Sequence, residues 1–143
     1  MWYDMHAHLD MLEVTPEVAL ANAKSVGVDK IVTIGTNPED HPVVLGLAKK
    51  YYPEVFCTLG VHPHEAALFT PEVAAWMNAN LPAKEVIAVG EIGLDYYYDH
   101  ADRGVQRQVF RDQLEIAAQI LLGLIHAHDG SWFPTRRRSL PTG

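Results

Sequence analysis

The chain has little of what marks secreted or membrane proteins. Among its 143 residues there is one cysteine, Cys57, so no internal disulfide can form, which fits a reducing compartment. The sequence has no run of about 18 apolar residues, which argues against a membrane-spanning helix. It also has no charged and then apolar leader segment. We therefore expect a cytoplasmic protein that makes no membrane contact.

Basic residues are also scarce. The chain has 11 Lys and Arg against 18 Asp and Glu, a formal net charge of -7. This excludes a broad basic face that grips nucleic acid through many phosphate contacts. A phosphate substrate is not excluded, because carboxylates that bind metal ions look acidic until the ions supply positive charge. With 48% apolar residues, the chain is long enough for one globular domain and too short for two.

Apolar runs that predict strands alternate with segments that predict helices. The sequences Thr15-Pro16-Glu17 and Thr70-Pro71-Glu72 are typical helix starts, with a hydroxyl cap before proline. A fourth helix is predicted over residues 104–121. Five strands are predicted, at about residues 1–8, 30–35, 55–60, 86–90 and 122–125. This alternation predicts βαβ units and a parallel sheet.

Two α/β architectures fit that alternation, an open doubly wound sheet and a (β/α)8 barrel. Polar residues at or just past the carboxyl ends of the predicted strands favour the barrel, whose enzymes build active sites on that rim. These residues are His6, His8, His62, Glu91 and His126. A dinucleotide-binding fold loses its main support because no Gly-x-Gly-x-x-Gly turn follows a strand.

His6 and His8 are two residues apart on a strand, so their imidazoles project to the same face and can share one metal ion. A single His-x-His pattern also arises by chance. Glu91, at the end of the fourth strand, could complete such a site and bridge two metals, or it could be a solvated or helix-capping acid. Asp95 could orient a ligand or cap a turn.

His62 and His64 flank a proline, so they cannot form a second strand pair. They could bind a substrate phosphate or assist proton transfer, or Pro63 could simply shape a turn. His126 is a candidate ligand for a second metal, although a histidine of this kind taken alone is more often a core residue. We interpret His41 and His100 as surface residues.

Five motifs together resemble the TatD-like metal-dependent deoxyribonucleases of the amidohydrolase superfamily. They cover residues 1 to about 126 in the family's order. The motifs are Asp4-Met5-His6-Ala7-His8-Leu9-Asp10, Gly60-Val61-His62-Pro63-His64, Gly90-Glu91-Ile92-Gly93-Leu94-Asp95-Tyr96, the helical set Gln106, Phe110, Gln113 and Leu114, and Ile125-His126.

The resemblance implies a function for each motif. His6 and His8 are expected to bind one divalent metal, Glu91 to be the catalytic bridging ligand, and His126 to bind a second ion. His62 and His64 are expected in the substrate site. The implied activity is hydrolysis of DNA phosphodiester bonds, often exonucleolytic, by a metal-activated water, with two Mg, Mn or Zn ions.

The resemblance ends near residue 126. A later metal histidine and a late Thr-Asp pair are absent, and only about half of the eight βα units are present. We expect residues 127–143 to be a disordered tail outside the family pattern, and the chain to be a truncated member, weakly active or inactive alone. Two alternatives stay open: a metal hydrolase of a small amide or ester, and a non-catalytic half barrel that associates with itself or a partner.

Overall fold

A computed structural model describes the backbone of residues 1–127 and the side chains of residues 1–120. Within this range, parallel strands alternate with helices, as the sequence predicts. The strands are β1 (Trp2–Ala7), β2 (Val28–Ile34), β3 (Val55–Leu59) and β4 (Val86–Val89). The helices are α1 (Pro16–Ser25), α2 (His41–Lys50), α3 (Pro71–Asn80) and α4 (Arg103–Ala127). Two 3₁₀ segments cover Leu9–Met11 and Pro63–Leu68.

The four strands form one parallel sheet in the order β1-β2-β3-β4. Each crossover contains a helix, and the predicted caps of α1 and α3 are present. The hydroxyl of Thr15 accepts a hydrogen bond from the amide of Val18, and that of Thr70 accepts one from Val73. All strand carboxyl ends therefore lie at the same edge of the sheet.

The predicted fifth strand at residues 122–125 is wrong, because α4 continues without a break to Ala127. A short apolar run of this kind fits a buried strand and a buried helix equally well by periodicity. Gly123 disfavours a helix by only about 1 kcal/mol, which is too little to end one of this length. The predicted tail at residues 128–143 lies outside the described part of the chain.

The core lies between the sheet and its helices. Ile31, Val55 and Leu59 of the sheet pack with buried residues of the helices such as Val44 and Met77. Cys57 belongs to the same cluster, and burial raises the pKa of its thiol to about 12. Cys57 is therefore an unreactive core residue.

The opposite face of the sheet has no covering layer within the described residues. Tyr3, Met5 and Ile87 remain about half exposed there. With Lys30, Val32 and Phe56 they line a concave pocket of about 300 Å³. β1 and β4 are the two edges of the sheet. This is the uncovered interior expected of part of a barrel. None of the helices within residues 1–127 is long and apolar enough to cross a membrane.

Candidate metal centre and substrate site

Three predicted metal ligands meet above the carboxyl ends of the strands. Ligand atoms of His6, His8 and Glu91 all lie within 4.8 Å of one another. Nε2 of His6 is 3.7 Å from Oε2 of Glu91. His6 belongs to β1 and Glu91 follows β4, which in a flat sheet would be about 14 Å apart. The sheet therefore curls, as in a barrel, so that its edge strands aim side chains at one point.

The chemistry of these donors fits a divalent ion. Two imidazoles and a carboxylate are common ligands of zinc and other divalent transition metals. Nδ1 of His8 and Oδ1 of Asp10 are buried and have no hydrogen-bond partner within the described residues. Because buried polar atoms are nearly always paired, these two atoms indicate that polar groups at the end of β1 remain available to a ligand.

Close backbone contacts fix the position of Glu91. Its amide donates to the carbonyl of Gly35 at 2.9 Å, and the amide of Gly90 donates to Leu59 at 3.1 Å. A Cβ added to Gly60 would lie 2.5 Å from the carbonyl carbon of Gly90. The ends of β3 and β4 can therefore approach this closely only with glycine at residue 60.

His62 lies on the other side of the same carboxylate. Its Nε2 is 3.7 Å from Oε1 of Glu91. Its Nδ1 accepts a hydrogen bond from the amide of His64 at 3.1 Å, so the neutral ring carries its proton on Nε2. Burial lowers the pKa of His62, which favours that neutral form. His62 thus presents an N–H donor beside Glu91.

His64 and Asp95 form a short hydrogen bond next to His62, with Nε2 of His64 2.6 Å from Oδ2 of Asp95. Oδ1 of Asp95 accepts hydrogen bonds from the amides of Tyr97 and Tyr98. The amide of Tyr98 and the ring of His64 hold the pKa of Asp95 below its usual value. Asp95 therefore closes a turn and hydrogen-bonds to His64, and its role in orienting a metal ligand stays a prediction.

Two buried glutamines of α4 hold the loops that carry these residues. Gln113 accepts from the amide of Val61 at 2.7 Å and donates to its carbonyl at 3.0 Å. Gln106 makes the same pair of bonds with Asp95, at 2.8 and 3.0 Å. Both side chains are fully buried. Seven residues separate them, so they lie two turns apart on one face of the helix.

A further network steadies the loop after β2. The carboxylate of Asp40 accepts hydrogen bonds from the amide and the hydroxyl of Thr36. The carbonyl of Thr36 in turn accepts the amide of His62 at 2.8 Å. Asp40 precedes α2 but makes no side-chain capping hydrogen bond, so the capping signal at this position does not predict its contact with Thr36.

The interpretation of His41 as a surface residue is wrong. His41 is 1% exposed, its Nε2 hydrogen-bonds to the carbonyl of Gly60 at 2.8 Å, and its ring stacks on Trp76. Burial lowers its pKa. The signal was present in the sequence, because His41 precedes the buried Val44 and Leu45 by three and four residues on one helix face.

His126 is not at the end of a strand, as the sequence analysis placed it, but within α4. The wrong placement follows from the wrong fifth strand. The side chain of His126 lies outside the described side chains. Its role as a ligand of a second metal therefore stays a prediction.

The fold and the donor set define a class of site, a cluster of two histidines and a carboxylate that fits a divalent ion at the carboxyl ends of a (β/α)8-type sheet. The chain matches the family model described as TatD related DNase over residues 3–135. It therefore belongs to this family. The predicted boundary at residue 126 stays a prediction.

Relatives of known name agree with this membership. The chain is 32% identical over 136 residues to the Bacillus subtilis uncharacterized metal-dependent hydrolase YabD, covering 92% of this chain and 52% of YabD. It is 36% identical over 113 residues to the Salmonella typhimurium 3'-5' ssDNA/RNA exonuclease TatD, covering 77% of this chain and 42% of that protein. The chain thus spans about half the length of these relatives.

Solved structures confirm the fold class. The crystal structure of YjjV, a TatD homolog from Escherichia coli, superposes with a TM-score of 0.76 at 30% identity, covering 82% of this chain and 47% of YjjV. An uncharacterized amidohydrolase from Saccharomyces cerevisiae superposes with a TM-score of 0.67 at 18% identity, covering 80% and 43%, which shows the fold alone. The described residues are part of a barrel, with four strands instead of the five predicted.

Proposed function

We propose that this chain carries the first metal site and the substrate histidines of a nuclease that hydrolyses DNA phosphodiester bonds. The observation that carries the proposal is the meeting of His6, His8 and Glu91 within 4.8 Å, with His62 beside the same carboxylate. The names of the exonuclease relatives support DNA or RNA as the substrate class.

The residues available for metal binding favour one ion held by His6, His8 and Glu91. Glu91 points one oxygen toward His6 and the other toward His62, each at 3.7 Å, which suits a ligand shared by two ions. We propose two divalent ions, drawn from Mg, Mn and Zn, with His126 as a ligand of the second. When bound, such ions would polarise a phosphoryl oxygen and lower the pKa of a water molecule, so that the water loses a proton and can attack phosphorus.

The histidines after β3 would act on the phosphate itself. Because the pKa of His62 is lowered and its proton sits on Nε2, it can donate a hydrogen bond to a phosphate oxygen. Asp95 orients the ring of His64 and stabilises a proton on its Nε2. His64 can therefore take up or release a proton at its other ring nitrogen, as departure of an oxygen leaving group requires.

The metal site is tested by calorimetric titration of the whole chain with Mn²⁺ and Zn²⁺. We expect His6→Ala and Glu91→Ala each to weaken binding by roughly tenfold or more, since each removes a ligand. Glu54→Ala, which removes an exposed acid just before β3 at the opposite edge of the sheet, is the matched control. Equal affinity in all four proteins would refute the site.

Hydrolysis is tested by the release of nucleotides from end-labelled single-stranded DNA with Mg²⁺, Mn²⁺ or EDTA. From a truncated member we expect at most weak release, which needs a divalent ion and is abolished in His6→Ala and Glu91→Ala. Release that persists in both variants would identify a contaminating nuclease. No release by a chain that binds metal normally would refute hydrolysis by this chain, and turnover of small esters or amides instead would favour the alternative substrate class.

A second candidate function is assembly. The sheet face lined by Tyr3, Met5, Val32, Phe56 and Ile87 is open, and β1 and β4 are edge strands. Two copies would supply eight strands, the number that closes this barrel. A stable dimer by light scattering that Met5→Asp converts to monomer would support assembly, and a monomer at all concentrations would refute it.

A further inference from the structure

The loop between β4 and α4 exposes three consecutive aromatic side chains. Tyr96, Tyr97 and Tyr98 are 39%, 86% and 64% exposed. A tyrosine ring can bury a large apolar area, so rings left in solvent on one loop are candidates for contact with a ligand. His100 follows on the same loop and is also exposed, as the sequence predicts.

This loop is held by its own side chains. The carboxylate of Asp95 accepts the amides of Tyr97 and Tyr98. Asp99 has a φ of 56°, in the left-handed region, and its carboxylate accepts three hydrogen bonds from Arg103. The rings are therefore presented on an ordered backbone, which lowers the entropy lost when a ligand binds.

The exposed rings continue into the candidate active site. The ring of Tyr98 lies 5.8 Å from that of His64 and is nearly parallel to that of His100, with an interplanar angle of 7°. The ring of His64 lies 4.4 Å from that of His62, which faces Glu91. A flat group stacked near Tyr98 would thus be next to the residues proposed to act on phosphate.

Positive charge borders the same surface. The guanidinium of Arg103 lies 4.8 Å from the ring centre of Tyr96. Nη1 of Arg107 lies 3.4 Å from the hydroxyl of Tyr96, and within the described residues Arg107 takes part in no ion pair. A chain of net charge -7 therefore has a local cation beside exposed aromatic rings.

We propose that Tyr97 and Tyr98 form a stacking surface for the bases of an unpaired nucleic-acid strand, with Arg107 facing its phosphates. The proposal rests on the proposed function and assigns the residues that hold the strand outside the metal centre. Aromatic rings stack on unpaired bases of any sequence, whereas duplex bases are already stacked on one another.

The test measures binding without catalysis. The whole chain is titrated in EDTA against a fluorescent oligothymidine of about 12 nucleotides, a length within the reach of one binding site, and anisotropy is recorded. We expect the double variant Tyr97→Ala, Tyr98→Ala to bind at least about tenfold more weakly. The double phenylalanine variant should bind like the original chain, because stacking needs the ring and not the hydroxyl.

Matched controls separate stacking from other effects. Tyr52→Ala removes a less exposed tyrosine ring, 41% exposed, at the other end of the sheet and should leave binding unchanged. The double leucine variant keeps apolar bulk without a ring and should bind as weakly as the alanine variant. Circular dichroism confirms that each variant is folded.

Several results would overturn the proposal. These are absence of binding by the original chain, equal binding by the double alanine variant, full binding by the double leucine variant, and equal affinity for duplex DNA. His6→Ala distinguishes the two proposals, since it should lose hydrolysis and keep binding. Ring-dependent binding without hydrolysis would support the stacking surface and would contradict only the nuclease proposal.

Discussion

The two halves of the candidate site are held in different ways. His6 and His8 lie at the end of β1, an edge strand whose residues are mostly exposed, and the side chain of His6 is 58% exposed. His62 follows β3, an inner strand, and Glu91 follows β4, an edge strand. Buried contacts fix the ends of both strands, so we call His62 and Glu91 the locked half of the site and His6 and His8 the open half. The comparison teaches that strand geometry does most to aim the first pair of side chains, whereas interior packing aims the second.

The contact between Gly60 and Gly90 should be the most sensitive part of the locked half. Gly60→Ala places a Cβ 2.5 Å from backbone, so we expect it to lower the free energy of unfolding by about 3 kcal/mol. Gly46→Ala is the matched control, because nothing lies within 4 Å of the added Cβ on that exposed helix face. It should raise the free energy of unfolding by about 0.5–1 kcal/mol. Urea denaturation measures both, and equal effects would contradict the close contact.

The glutamines of α4 give the next largest expected effect. Gln113→Ala leaves the amide and carbonyl of Val61 buried without partners, at a cost of about 2–4 kcal/mol. Gln108→Ala, on the exposed side of the same helix, should change stability by less than about 0.5 kcal/mol. Metal affinity, measured by calorimetric titration without denaturant, should fall in Gln113→Ala and stay unchanged in Gln108→Ala. A stable Gln113→Ala protein would show that α4 does not position the loop after β3.

In the open half of the site, a buried hydrogen bond anchors the backbone next to His8, and a conservative substitution tests it. The amide of Leu9 donates to the hydroxyl of Thr33 at 3.2 Å, just past His8. Thr33→Val keeps the shape and removes the acceptor, so we expect a loss of about 1–2 kcal/mol.

Thr58→Val is the control for this anchor. The hydroxyl of Thr58 is buried on the neighbouring strand and has no partner among the residues described. Its removal should be neutral or slightly stabilising in thermal unfolding. A loss of stability in Thr58→Val equal to that in Thr33→Val would assign the effect to strand packing and remove the anchor from the comparison.

The same difference explains what the sequence could predict. His6 and His8 follow from a spacing of two on a strand, and the helices from their caps, because these are local signals. The burial of His41 follows from its place on the apolar face of α2, but its partner Gly60 is 19 positions away. The partner of Gln113 is 52 positions away, so no local pattern predicts either contact. The prediction of a fifth strand at residues 122–125 is wrong because this apolar run has no period of its own. Its structure follows from the helix that continues into it.

The smallest expected effect is a loss of stability at acid pH, caused by the buried His41 beside the locked half of the site. Burial lowers the pKa of His41 in the folded chain, below the value of about 6.5 for the free side chain. Below that value the unfolded chain binds the proton more readily, so stability should fall as pH drops from 7.5 to 5. His41→Gln cannot titrate, and its unfolding free energy should depend less on pH over this range. His100→Gln, at an exposed position, should keep the original slope, and a slope unchanged in both variants would show that protonation of His41 does not weaken the contact with Gly60.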